Sequence, residues 1–508
     1  MMTSQWLIMP VAVPAMTAAM LVLALRHSLT GQRIISIAAT ALQLIAAIGL
    51  YGLAGDGETR AYLLGNWPAP FGIVLVLDRL AATMLLLAGL LAVGVVIAAI
   101  GAWDRRGRHF HALFQFQMLG INGAFLTGDL FNLFVFFEVL LIASYGLMLH
   151  GGGARRLKAG FHYIAVNLIG STVFLFAVGT IYAVTGTLNM GDLAVKVPQV
   201  ATDNQALLAA GALLLLTVFA IKSAMVPLHW WLPPTYGSTS PPAAALFAIM
   251  TKVGAYSIIR VYTLVFGADA GPLANIATPW ILPAGIATLV LGTIGVMANR
   301  NLLDLVCYSV IASMGTLLIA IGLASPAGLA AALYYAVQST LTSAGLFLLA
   351  GILLKEKDGC GTLVQIPQPM PLYAGLYFLF AIAMVGMPPL AGFIGKFLIL
   401  DAGRAASHLA SVWPAVLVTS LLLIIGFART GIRLFWNGPA VAETPAPHVA
   451  PMLPTVVVGA MVAAVAMLSA FAGPVMNDMT ATAEQIFTPQ RYIAAVLHRQ
   501  LASDLVGE

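Results

Sequence analysis

Residues 80–103 read LAATMLLLAGLLAVGVVIAAIGAW, a stretch without an ionisable side chain. In helical form about 20 apolar residues cross the hydrocarbon core of a bilayer. Residues 6–25, WLIMPVAVPAMTAAMLVLAL, form a second such run. The whole chain follows this pattern, with 61% of its 508 residues hydrophobic and 8% charged. Soluble domains carry about 25% charged residues, so the composition excludes a water-soluble fold. The first 25 residues lack a basic leader and a clear cleavage site, which favours a retained first helix over a signal peptide.

Hydropathy predicts an all-α polytopic membrane protein with about fourteen spans, near residues 6–25, 34–54, 80–103, 110–127, 130–149, 161–182, 207–233, 241–266, 277–297, 305–324, 327–354, 372–400, 410–428 and 454–472. Backbone groups in lipid must be paired within the chain, which selects helices. The alternating ten-residue segments of a barrel are absent. With the N-terminus placed outside, thirteen Lys and Arg residues fall in inward loops and five in outward loops and the C-terminal tail. The positive-inside rule then puts both termini on the outer side.

Five basic residues escape the loops: Arg79, Lys222, Lys252, Arg260 and Lys396. Glu138 sits within LFNLFVFFEVLL, residues 130–141, near the centre of the fifth span. Lys252 lies midway along the eighth. A charge at that depth costs about 2.5–3.5 kcal/mol on insertion scales and normally faces a protein interior or a watery path. The plain alternative is a structural ion pair locking two helices.

Lys222 opens KSAMVPLHWWLPP, residues 222–234, and Lys396 closes MPPLAGFIGK, residues 387–396. Pro227 in the first stretch and Pro388, Pro389 and Gly392 in the second interrupt a helix beside each lysine. Paired interrupted helices in two halves of a chain point to a transport site. Snorkelling to the interface is the plain alternative for Lys396, four residues from the end of its span. Burial disfavours a charged ammonium and a neighbouring carboxylate favours it. Glu138 and Lys222 therefore form a proton switch if the fifth and seventh spans meet. His162, His229 and Tyr236 extend a possible relay, and His229 beside two tryptophans equally suits a structural histidine. Arg260 is expected to anchor an interface, and Asp78 with Arg79 to form a local or inter-subunit ion pair.

The run KSAMVPLHWWLP at 222–233, followed by SPPAAAL at 240–246 and TKVGAY at 251–256, resembles the signature of the proton-pumping antiporter-like subunits. That superfamily includes complex I membrane-arm subunits, membrane-bound hydrogenase subunits and Mrp-type (Pha, Mnh) multisubunit cation/proton antiporters. GDLFNLFVFFEVLLIASYGL at 128–147 and the chain length most resemble the D-type subunit of the Mrp antiporters.

The resemblance implies two inverted five-helix repeats, each with a broken helix. The expected organisation is 1–109 with three N-terminal spans, 110–266 and 267–434 as the repeats, and 435–508 with the last span and an amphipathic tail. It also implies a proton path through Glu138, Lys222, Lys252 and Lys396. Where many relatives carry a histidine pair and a later lysine, this chain reads YAVQSTLTSAG at 335–345. Tyr335, Gln338 and Ser339, with Ser343, are left as the possible relay, and the amides and hydroxyls among them do not titrate.

The expected function is thus a proton-translocating subunit of a multisubunit Na⁺/H⁺ or K⁺/H⁺ antiporter. It is a transporter subunit, not an enzyme, in a bacterial cell membrane. Its expected partners are a large A-type subunit of the same antiporter, small membrane subunits, protons, Na⁺ or K⁺, and lipid. No cofactor, metal or nucleic acid is expected. The alternatives are a proton-pumping subunit of an NADH-quinone oxidoreductase or hydrogenase, and a structural membrane scaffold.

Overall fold

In a computed structural model the chain is described over residues 4–357, 360–363, 370–436 and 452–497. Arg499, expected in the outer tail, lies outside the described residues. Three N-terminal helices come first: α1 (Met9–Leu23), α2 (Leu29–Ala54) and α3 (Arg79–Ala99). A hairpin of β1 (Arg60–Leu63) and β2 (Val74–Leu77) joins α2 to α3.

The next five spans are α4 (Phe110–Leu126), α5 (Leu130–Leu149), α6 (Ala154–Thr185), a broken helix and a bent one. After the short α7 (Met190–Lys196), the broken helix is α8 (Thr202–Lys222) with α9 (Leu232–Tyr236). The bent one is α10 (Pro241–Phe247) with α11 (Met250–Leu264). A second set of five repeats this order: α12 (Thr278–Ala298), α13 (Leu302–Gly322), α14 (Pro326–Leu353), the broken pair α15 (Met370–Val385) and α16 (Ala391–Ala402), and α17 (Ala406–Phe435). A span α18 (Met452–Ala470) and the tail helices α19 (Ala472–Ile486) and α20 (Gln490–Leu497) follow.

The break falls in the fourth span of each set. Five is odd, so the second set enters the bilayer from the side opposite to the first. Among the described residues, twelve helical stretches are long and apolar enough to cross a membrane. The shorter α4 and the broken α15–α16 complete the expected fourteen. The seventh and twelfth spans, expected near 207–233 and 372–400 with a break beside each lysine, are broken in the structure. The first ends at Lys222 and the second at Val385, because the prolines that follow cannot continue the ladder.

Short polar side chains start several spans. Ser28, Asp78, Asp129 and Asn301 accept from the backbone amides of Gly31, Ala81, Asn132 and Leu303. Each satisfies an amide that the helix itself leaves unpaired. Helices α10–α11, α13 and α14 are the most enclosed, while α1, α17 and α18 turn much of their surface outward.

One face carries the hairpin, the first residues before α1, and the tail. Helix α20 packs on α7 and β1, and α19 on α3. The residues before α1 also lie against β1 and β2. Both ends of the described chain therefore share one face, as an even number of spans requires. The tail is held by its own chain: Tyr492 and Val496 of α20 are buried, and Asp478 of α19 pairs with Arg79 at 2.7 Å.

Candidate functional site: a file of buried lysines

At the first break α8 stops on Lys222, and Ala224 takes a left-handed φ of 52°. The freed backbone groups find partners. The Ile221 carbonyl accepts from Trp231 Nε1 at 2.9 Å, and the Val226 amide donates to Thr288 Oγ1 of α12 at 3.0 Å. Irregular backbone at this depth is thus enclosed in protein.

Lys222 is 6% exposed, and its Nζ donates to Asn167 Oδ1 of α6 at 2.9 Å. One turn further along α6, the Ser171 hydroxyl donates to Glu138 Oε1. Asn167 is itself oriented by donating Nδ2 to the Tyr163 carbonyl at 2.9 Å. Glu138 and Lys222 make no ion pair within 4 Å. Helix α6 lies against both α5 and α8, with Ser171 bonded to the carboxylate and Asn167, one turn away, bonded to the lysine. The carboxylate and the lysine expected to form the switch are thus held by the same helix, one turn apart.

Lys252 follows on α11. Gly254, two residues on, presses against the end of α8: a Cβ there would lie 2.8 Å from the Ser223 nitrogen and 2.9 Å from the Lys222 carbonyl carbon. Glycine at this point brings α11 onto the Lys222 backbone. Lys252 is 1% exposed and its Nζ has no hydrogen-bond partner. It borders a small cavity of about 10 Å³, walled by Leu80, Met84, Tyr256, Leu317 and Leu333. That is room for about one water molecule, and an ammonium in such apolar walls requires one.

At the second break Lys396 lies in the middle of α16 and is 5% exposed. Its Nζ donates to the Val385 carbonyl at 2.7 Å and to Ser420 Oγ at 2.8 Å. Val385 is the last residue of α15, so the lysine reaches back to a carbonyl that the break frees. Gly386 (φ 85°) leaves room for its stem, since a Cβ there would be 2.7 Å from Lys396 Cδ. Snorkelling is excluded by this inward turn.

Between Lys252 and Lys396 stands α14. Gln338 donates Nε2 to the Ala383 carbonyl at 2.8 Å and to Thr342 Oγ1 at 3.1 Å, while its Oε1 is buried without a partner. Ser343 Oγ is also buried without a partner, and Ser339 donates to the Ala336 carbonyl at 3.3 Å. Tyr335 is buried with its hydroxyl beside Thr316. These groups join α14 to the second break through amides and hydroxyls.

The family model described as NADH:quinone oxidoreductase/Mrp antiporter, TM, matches residues 127–423, which contain both breaks and all four charged residues. The chain belongs to this family. Similar curated proteins include the D subunit of a probable K(+)/H(+) antiporter of Rhizobium meliloti (41% identical, covering 97% of each chain). The D subunit of the Na(+)/H(+) antiporter of Bacillus subtilis is 34% identical over 97% of this chain and 99% of the relative. The N subunit of the NADH-quinone oxidoreductase of Desulforudis audaxviator is 34% identical over 88% of this chain and 90% of the relative. Among solved structures, a chain of the Mrp complex from Dietzia sp. superposes with a TM-score of 0.87 at 27% identity, covering 98% of this chain and all of that one.

Within this family member the other relay candidates fall unevenly. Tyr236 is fully buried among Trp231, Phe247 and Phe347 and donates to the Phe247 carbonyl at 2.8 Å. His229 is half-buried, with Nδ1 unpartnered. His162 lies on the exposed side of α6 with its ring 4.9 Å from that of Trp230, away from the lysine file.

Two further corrections concern the acidic and basic residues at the hairpin face. Arg260 is no interface anchor: it is buried and grips Asp78 with two hydrogen bonds of 2.5 and 2.8 Å. Arg79 turns away from Asp78 to Asp478 and the Gly55 carbonyl. On the opposite face Arg33 holds the loop residue Asp104 at 2.5 Å, with His111 Nε2 3.6 Å away. Burial pushes the Asp104 carboxyl up, but His111 and Arg33 outweigh it and hold the group below the ordinary carboxylate range.

Sequence reasoning missed Asn167, Ser171 and the Asp78–Arg260 pair. The signal for the first two was present as Asn and Ser four residues apart in one span, which places both on one helix face. Among the described residues, no three His, Cys, Asp or Glu side chains gather into a metal site.

Proposed function

We propose that this chain is the proton-translocating D-type subunit of a multisubunit Na⁺/H⁺ or K⁺/H⁺ antiporter. Protons pass along Glu138, Lys222, Lys252 and Lys396, in exchange for a cation that crosses elsewhere in the assembly. The observation that carries this reading is the placement of Glu138 and Lys222 against one helix, bonded to its Ser171 and Asn167 one turn apart, beside a helix break. It sets a carboxylate and a lysine each against a group that both accepts and donates hydrogen bonds, a hydroxyl and an amide. Residues 110–266 and 267–434 act as two repeats, with Lys222 and Lys396 as their counterparts. The termini lie on the outer side of the cell membrane, and the partners are a large A-type subunit with small membrane subunits.

The named relatives support the antiporter over a redox-driven pump, although a pump would use the same geometry. Vesicles containing the assembled complex test both. A Na⁺ or K⁺ gradient, applied without any redox substrate, is expected to drive proton movement read by a pH-sensitive dye. Glu138→Ala or Lys222→Ala is expected to abolish it while assembly survives. Normal flux per assembled complex in both variants would leave only the scaffold reading. Proton movement that requires a redox substrate would favour the pump.

A further inference from the structure

Two cavities lie end to end between the halves of the molecule. The lower is the small one beside Lys252. The upper has a volume of about 460 Å³, borders Tyr262, Thr263, Asp269, Asn275, Thr278 and Ser325, and opens on the face that carries α20. Ile259 borders both. So do three helices, each contributing to one cavity and, about a turn or two away, to the other: Tyr256 and Tyr262 on α11, Leu317 and Ile321 on α13, Leu333 and Leu329 on α14. The same three helices therefore wall both cavities, and Ile259 is the residue that the two linings share.

We propose that this upper cavity is an aqueous vestibule through which Lys252 exchanges protons with the α20 face, and that Ile259 is its apolar gate. The proposal rests on the proton-path reading above as far as Lys252, and there gives the proton an outlet in place of the course through the second repeat. Its chemistry is a simple transfer. The Lys252 ammonium releases a proton to a water that reaches it past Ile259, the N–H bond breaks, and hydronium leaves through the vestibule. The neutral amine is then recharged from the Lys222 side.

Three observations favour this course. The way from Lys252 toward Lys396 offers no titratable relay in Gln338, Ser339 or Ser343. The straight course along α11 is barred by the guanidinium of Arg260, always charged and sealed against Asp78. The vestibule rim instead carries an exposed carboxylate, Asp269, which attracts protons. A ring of apolar side chains at a constriction gates by excluding water.

The assembled complex in vesicles provides the test. Ile259→Trp fills the constriction and is expected to reduce cation-driven proton flux to the level of Lys222→Ala. Ile321→Cys, in a Cys307→Ala, Cys360→Ala background, places a thiol inside the vestibule. A membrane-impermeant cationic thiol reagent is expected to block flux from one face only, reversibly on reduction. Full flux in Ile259→Trp with none in Lys222→Ala overturns the vestibule and leaves the proton path standing. So does labelling of Ile321→Cys without loss of flux, or failure to label from either face. Full flux in Lys222→Ala would instead remove the proton path itself. If Ile259→Trp fails to assemble, the thiol arm decides.

Discussion

Replacing Asn167 with leucine removes the acceptor of the Lys222 ammonium and leaves the helices nearly unchanged in volume. The bond is 2.9 Å long and buried, and Lys222 Nζ has no other hydrogen-bond partner there, with the centre of the Phe137 ring 5.9 Å away. A hydrogen bond to a charged group contributes about 1.5–3 kcal/mol. If it holds Lys222 in the position that receives the proton, its loss slows transfer by roughly tenfold to a hundredfold, at about 1.4 kcal/mol per decade. The assay is the initial rate of pH change in vesicles after a Na⁺ or K⁺ jump, normalised to assembled complex. Ser171→Ala is expected to act in the same direction by freeing Glu138. Combining either change with Glu138→Gln should add little, because residues of one network are not additive. An assembled Asn167→Leu complex with normal flux would refute a role for this bond in proton transfer.

Two further predictions concern the faces of the protein. Asp78→Ala strands a buried guanidinium and is expected to cost about 3–5 kcal/mol, whereas Asp78→Leu with Arg260→Met should recover most of it; thermal unfolding in detergent separates the two, and equal losses would contradict a paired charge. The Asp104 carboxyl is held below its ordinary value of 3.8, so its contribution is present above that value and fades as pH falls through the lower folded one. Arg33→Gln should therefore unfold more easily at neutral pH, by a margin that shrinks in strong acid, and a pH-independent margin would show that the arginine acts by packing alone.

The sequence made much of the molecule legible because a membrane imposes a simple rule. Lipid offers no hydrogen bonds, so apolar length alone marks a span. The same rule makes each charge inside a span conspicuous, and Glu138, Lys222, Lys252 and Lys396 were found that way. Prolines also showed where two helices must break. What remained hidden was of another kind. Asn167 and Ser171 are neutral and cost little to bury when paired, so their shared helix face is a fainter signal than a charge. Arg260 lies in a span, and nothing local indicates that its partner is Asp78, 182 residues away.

The chain's own residues thus determined that it spans the bilayer, how many times, and which side chains are too costly to be there without a purpose. Only the tertiary structure decided which of these charges meet. Composition reports the free energy of placing a group in lipid, which each residue carries by itself. Contact depends on the angles at which helices cross, and these follow from close approaches such as Gly254 against the end of α8, a property of the packed molecule.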